Sequence, residues 1–196
     1  MPAFTIQAIR EEHAALAAVL RSLLMLMERS PEQEPGRFFD VLRAMLFYID
    51  EFPERLHHPK ESDLLFPKLA RADPGLMPVI RRLESDHMQG EGRVRELQHL
   101  LLAWELLGDA RRAAFCEAAQ TYVRFYLEHM RVEEAEILPA AQRLLSPRDW
   151  EELDAAFRVD RDPLASGTTP AGYDRLFTRI VMAAPAPIGL GDPLAA

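Results

Sequence analysis

The sequence predicts an all-α protein, an up-down-up-down four-helix bundle with a short fifth helix and a C-terminal extension. Three observations carry this. Apolar residues recur at steps of three and four along most of the chain, while strand-like alternation is scarce. Four such stretches are each long enough for a helix of roughly 25–30 residues. The connections between them are short and built from Pro, Gly and Asp.

The first helix is expected from Thr5, which can cap it, to Arg29, where Ser30-Pro31 stops it. Its stripe is Ile6, Ile9, Leu16, Leu20, Leu23 and Met27, with His13 where another apolar residue would fit. The second is expected from Arg37 to Phe66 on Phe39, Leu42, Leu46, Ile49, Leu56 and Leu64, with Pro53 and Pro59 kinking or breaking it. Asp73-Pro74-Gly75 opens the third, which extends to Leu107 on Leu76, Ile80, Leu83, His87, Val94 and Leu101. Gly90 and Gly92 should loosen its middle. Gly108 ends it and Asp109 caps the fourth, which runs to Leu138 on Phe115, Tyr122, Phe125, His129, Val132 and Glu136. Ser146-Pro147 starts the short fifth helix, with Trp150, Leu153 and Phe157 facing inward. From Asp160 the composition turns to loop chemistry, and only Tyr173 to Met182 looks helical. The bundle is therefore assigned to residues 1–158, and residues 159–196 to an extension carrying one short amphipathic helix.

Composition narrows the function. A chain of 196 residues has room for one domain with a real core, and 48% apolar with 28% charged residues is globular. The net charge of −8 offers no basic stripe for a phosphate backbone, so no nucleic-acid partner is expected. Cys116 stands alone, which excludes an internal disulfide and an all-thiolate metal site. No G-x-G-x-x-G or Walker-type run is present. Arg10, Glu11, Glu12 and His13 arrive before any long apolar stretch, and Leu23–Met27 is far short of the roughly 20 residues a membrane span needs. A soluble cytoplasmic protein with no membrane partner is the expectation.

The histidines carry the chemistry. Three of the six have Glu four residues later: His57 with Glu61, His87 with Glu91, and His129 with Glu133. Chance predicts fewer than one such pair. Residues at i and i+4 lie one turn apart on one helix face, so each pair can offer a nitrogen and an oxygen to one point. Each long helix contributes a stripe histidine (His13, His57, His87 and His129). Counted at about 1.5 Å per residue, the four lie within about two turns of one another in depth. Imidazoles and carboxylates without thiolate suit iron, manganese or zinc. Four histidines with two or three glutamates exceed what one tetrahedral zinc can use, whereas two carboxylate-bridged ions would use them all.

The pattern resembles the hemerythrin-like family, from about Ile6 to Trp150. The resemblance rests on Arg10-Glu11-Glu12-His13, on His57-His58-Pro59-Lys60-Glu61 followed by Leu65-Phe66-Pro67, and on Asp86-His87. It continues in His129-Met130-Arg131-Val132-Glu133-Glu134 leading to Ile137-Leu138-Pro139. It implies a bundle whose core holds two non-haem irons, with His13, His57, His87 and His129 as nitrogen ligands and Glu61 and Glu133 as bridges. Oxygen-carrying members place a fifth histidine one turn after the third-helix histidine, and here that position is Glu91. Many relatives carry a second acid where this chain has Ser62. As a ligand, Glu91 would make the site harder and more anionic and favour ferric iron, which points away from reversible oxygen carriage.

The neighbouring residues receive plainer readings. His58 points about 100° from His57 in an ideal helix and is read as outer or surface, and His99 as exposed. Glu134 and Glu136 are read as a solvated edge from which either could bond a ligand histidine. Tyr122 is read as core packing, Met25, Met27 and Met45 as core filler, and Cys116 as a small buried hydrophobe.

The expected function is a cytoplasmic di-iron protein that binds or senses oxygen, nitric oxide or peroxide, with zinc or manganese as possible substitutes for the two irons. The alternatives are a di-iron enzyme consuming peroxide or nitric oxide and a metal-responsive, partner-binding regulator. A homodimer through the extension is a further expectation. Nothing in the chain marks a substrate pocket or a dedicated acid or base, so turnover is not assigned.

Overall fold

The computed structural model describes residues 4–28 and 35–167, together with residues 176, 178 and 180. The described residues are helical with no strand. Helix α1 is Phe4–Met27. Helix α2 is a continuous rod over residues 35–72: α-helical Pro35–Ile49, π-helical Asp50–His57, α-helical His58–Lys60, π-helical Glu61–Leu65 and α-helical Phe66–Ala72. After a 3₁₀ turn at Pro74–Leu76, α3 is Met77–Leu107. A second 3₁₀ turn, Asp109–Arg111, leads into α4, a rod over residues 112–144. It is α-helical at Arg112–Val132, π-helical at Glu133–Ile137 and α-helical again at Leu138–Leu144. Helix α5 is Pro147–Phe157 and the one-turn α6 is Pro163–Ser166. Each long rod packs on the next and α4 packs back on α1, which closes the bundle. No described helix is long and apolar enough to cross a membrane.

The local expectations meet different outcomes. Pro53 and Pro59 do not break α2, because widened π turns accommodate the missing N–H donors. The same device recurs in α4, which passes Pro139 and reaches Leu144. Both rods read His-x3-Glu-x5-Pro, at His57, Glu61 and Pro67 and at His129, Glu133 and Pro139, with a π turn between Glu and Pro each time. Gly90 and Gly92 leave α3 unbroken. Thr5 does not cap α1. Its own N–H and hydroxyl donate to Asp154 of α5, at 2.8 and 2.6 Å. Asp109 accepts from Trp104 Nε1 at 3.0 Å instead of capping α4, and Gly108 makes the turn at φ 84. Ser146 does cap α5, in a reciprocal box with Asp149.

Two hydrophobic cores stack along the bundle. One joins Leu16–Met27 of α1, Phe38–Phe52 of α2, Val94–Trp104 of α3 and Phe115–Met130 of α4. The other joins Ile6 and Ile9, Leu65 to Leu69, Ile80 and Leu83, Val132 to Ala141, and Leu153 and Phe157 of α5. The buried histidines and glutamates fall between them, on every rod at the same level. The expected helix at Tyr173–Met182 lies largely outside the described residues, but Leu176, Thr178 and Ile180 are helical and Ile180 is buried in the first core.

Candidate metal centre

Seven side chains make the polar layer. Helix α1 supplies His13, α2 supplies His57, His58 and Glu61, α3 supplies His87, and α4 supplies His129 and Glu133. All are buried, Glu61 and Glu133 completely. They form two clusters, His13, His57, Glu61 and Glu133, and His58, Glu61, His87 and His129. Within each, one ligand atom per residue lies within 4.8 Å of all the others. Glu61 belongs to both. Its Oε1 is 2.8 Å from His57 Nε2 and its Oε2 is 3.5 Å from His87 Nε2. On either side, His13 Nε2 stands 3.3 Å from Glu133 Oε2 and His87 Nε2 stands 3.2 Å from His129 Nε2.

Every imidazole is held from outside through Nδ1. His13 meets Glu134 at 3.0 Å, His57 meets Glu12 at 2.7 Å and His58 meets Glu54 at 3.1 Å. His87 meets Ser62 at 2.9 Å and His129 meets Asp86 at 3.4 Å. A partner at Nδ1 sets the ring plane and tautomer and leaves Nε2 for the interior, the usual arrangement around a ligating histidine. The interior is short of hydrogen bonds. His57 Nε2 and all four carboxylate oxygens of Glu61 and Glu133 are buried without a properly aligned partner among the described residues. Burying such atoms without an aligned hydrogen bond costs roughly 2–7 kcal/mol per polar group, which the facing imidazoles offset only in part. A pair of cations between the two clusters would satisfy them, so the donor set fits a two-metal centre.

The electrostatics divide the layer. Burial works against a cation on His13, but Glu133 and Glu134 outweigh it and hold its pKa at about 9. His57 follows the same logic, lifted well above the ordinary imidazole range by Glu61 and Glu12 against the effect of burial. On the other side burial prevails. His87 falls to about 3, with His129 adding repulsion, and His58 is held well below its usual range by burial and His87. The facing carboxylates part company: burial and Glu133 push Glu61 up, while the neighbouring His13 pulls Glu133 down despite its burial. Protons therefore occupy the His13–His57 side, and a metal binding there must displace them.

The structure brings together His13, His57, Glu61, His87, His129 and Glu133, but not Glu91. Glu91 is 51% exposed and pairs with Arg95 at 3.0 Å. The reason lies in the buried stripe of α3, which steps from His87 to Gly90 and then to Val94. That register leaves Glu91 just outside it. His58 stands inside instead, its ring stacked on His87 with centroids 4.0 Å apart and planes at 11°. The rotation of about 100° between neighbouring helical residues does not carry His58 outward, because both directions face into the bundle. In a four-helix core His57 faces α1 while His58 faces α3 and α4. A usable signal was present, since His58 and Glu61 are three residues apart and share a face. Glu12, Glu54 and the orienting roles of Asp86 and Ser62 were also missed. His99 is exposed, and Glu134 bonds His13 from the rim.

A small cavity of about 10 Å³, room for about one water, reaches the layer beside His13, His57 and His58. Leu16, Phe52, Leu56 and Met130 supply its apolar wall.

No curated protein matches the chain. The family model of the hemerythrin HHE cation-binding domain matches residues 5–141, a span that holds all seven of these side chains and nearly all of the four rods that carry them. The chain is a member of the hemerythrin HHE cation-binding domain family.

Proposed function

We propose that the chain holds two non-haem irons and binds or senses a small molecule there: oxygen, nitric oxide or peroxide. The observation that carries this reading is Glu61, a fully buried carboxylate shared by both clusters, whose two oxygens face histidines of opposite sides. His13, His57 and Glu133 would hold one ion, His58, His87 and His129 the other, with Glu61 between them. Nitrogen and oxygen donors without thiolate suit iron, and equally admit manganese or zinc. Bound iron would supply one-electron redox chemistry and an open coordination position.

The protein's own part is to orient and exclude. Glu12, Glu54, Ser62, Asp86 and Glu134 fix the five rings. The two apolar cores exclude bulk water above and below. The cavity beside His13 and His57 has room for a ligand about the size of water or a diatomic gas.

Elemental analysis and an absorption spectrum on anaerobically purified protein test the reading. The expected result is two irons per chain and a spectrum that changes on adding oxygen, nitric oxide or peroxide. One zinc per chain with no capacity for iron would overturn it.

A further inference from the structure

We propose that residues 159–166 form a strap across the mouth of the ligand cavity, and that Lys60 and Arg161 are access-determining residues because they hold it shut. The inference rests on the reading that a small ligand reaches this centre. The strap lies beyond the family match at 5–141. Asp160 and Asp162 form one wall of the cavity, facing Glu12, His13, His57 and His58.

The strap is pinned from three sides. Lys60 Nζ donates to the carbonyls of Val159 and Asp160, at 2.6 and 3.1 Å. Arg161 donates to Glu11 at 2.6 Å and stands 3.9 Å from Glu12. Asp162 is buried, accepts from the Tyr48 hydroxyl, and donates its backbone N–H to Glu12 Oε1 at 3.3 Å. The other oxygen of Glu12 is 2.7 Å from His57 Nδ1, so one carboxylate joins the strap to the metal layer.

Two features of the strap oppose stability. Asp160 sits at φ 48, in the left-handed region, and Asp162 buries a carboxyl. Apolar packing alone does not call for either, and both make sense in a cover held by polar pins over an opening. The strap narrows the way from solvent to a cavity with room for about one water. Pro163 is buried and Leu164 packs against the first core, so the far end of the strap is anchored. The stretch from Val159 to Asp162 is held mainly by the polar pins, and such a segment opens far more readily than the bundle unfolds, so its opening sets the rate of access.

The test uses the full chain, with Lys60→Met and Arg161→Met and with Arg43→Met as a control at the far ion pair with Asp40 and Glu105. Azide association with iron-loaded protein is read by stopped-flow absorbance. Diethyl pyrocarbonate modification of the buried histidines is read in metal-free protein. In both strap variants, but not in the control, each rate should rise by roughly three- to tenfold, as expected for losing one solvent-screened hydrogen bond from the closed state, with both irons retained. Azide association unchanged from wild type in both variants would overturn the strap as the access route. If wild type takes up no iron or no azide, the proposed function fails, and histidine modification still decides the strap: no acceleration overturns it.

Discussion

Gly90 and Tyr126 are fitted to each other across α3 and α4: a methyl group on Gly90 would fall on the Tyr126 hydroxyl oxygen and within 2.7 Å of Glu54 Oε1. Tyr126 donates to that same oxygen of Glu54, and Tyr122 donates to it at 3.3 Å. The other oxygen of Glu54 lies 3.1 Å from His58 Nδ1. The glycine in the middle of a 31-residue helix thus makes room for the carboxylate that orients a cluster histidine.

Gly90→Ala and Gly92→Ala should therefore have opposite signs. Alanine is favoured over glycine by about 1 kcal/mol in a helix interior. Gly92 has open space around its added methyl group, so Gly92→Ala should stabilise by up to about 1 kcal/mol. Gly90→Ala should destabilise by about 1–3 kcal/mol as Tyr126 is displaced. Denaturant unfolding of metal-free protein reads both.

Glu61→Ala and Glu91→Ala should separate the buried carboxylate from the exposed one. Glu61 is fully buried and common to both clusters, whereas Glu91 pairs with Arg95 near solvent. Glu61→Ala should lose at least one metal, and Glu91→Ala should retain both, with stability within about 0.5 kcal/mol of wild type. Metal content after dialysis checks this.

His58→Ala should reduce metal content from two per chain towards one, because the cluster with His87 and His129 loses a nitrogen while the cluster with His13 and His57 keeps all its members. His99→Ala, at an exposed position of α3, should leave it at two. Equal metal content in the two variants would remove His58 from the centre.

Asp162 sets a pH dependence. Burial raises its pKa from 3.8 to about 6, although the Tyr48 hydroxyl pulls the other way. A carboxyl whose folded pKa is raised stabilises fully below the unfolded pKa, and that contribution is lost as pH climbs through the folded value. Asp162→Asn does not titrate. Its stability relative to wild type should therefore improve by about 2–2.5 kcal/mol between pH 4 and pH 8. A lost acceptor would shift the whole curve without changing this slope. Parallel stability-against-pH curves for the two metal-free proteins would show that Asp162 is not buried as a carboxyl.

The bundle and its level of histidines are local properties of the chain. Helical periodicity, the Pro and Gly connections and the His-x3-Glu spacing depend on residues a few positions apart, which is why four rods and six of the seven cluster side chains could be read directly. What the sequence could not decide is which of several polar residues turn inward, because that depends on register between rods. A one-position difference in the buried stripe of α3, Gly90 instead of Glu91, put the glutamate in solvent and left the inner place to His58. The outer partners of the rings come from more distant positions still, as with Glu12 of α1 on His57 of α2 and Asp86 of α3 on His129 of α4. Asp162 reaches Tyr48 across 114 residues of chain. Contacts between separate helices are fixed only when the rods pack. Burial then selects the arrangement in which each buried polar atom finds a partner or faces the place of a metal.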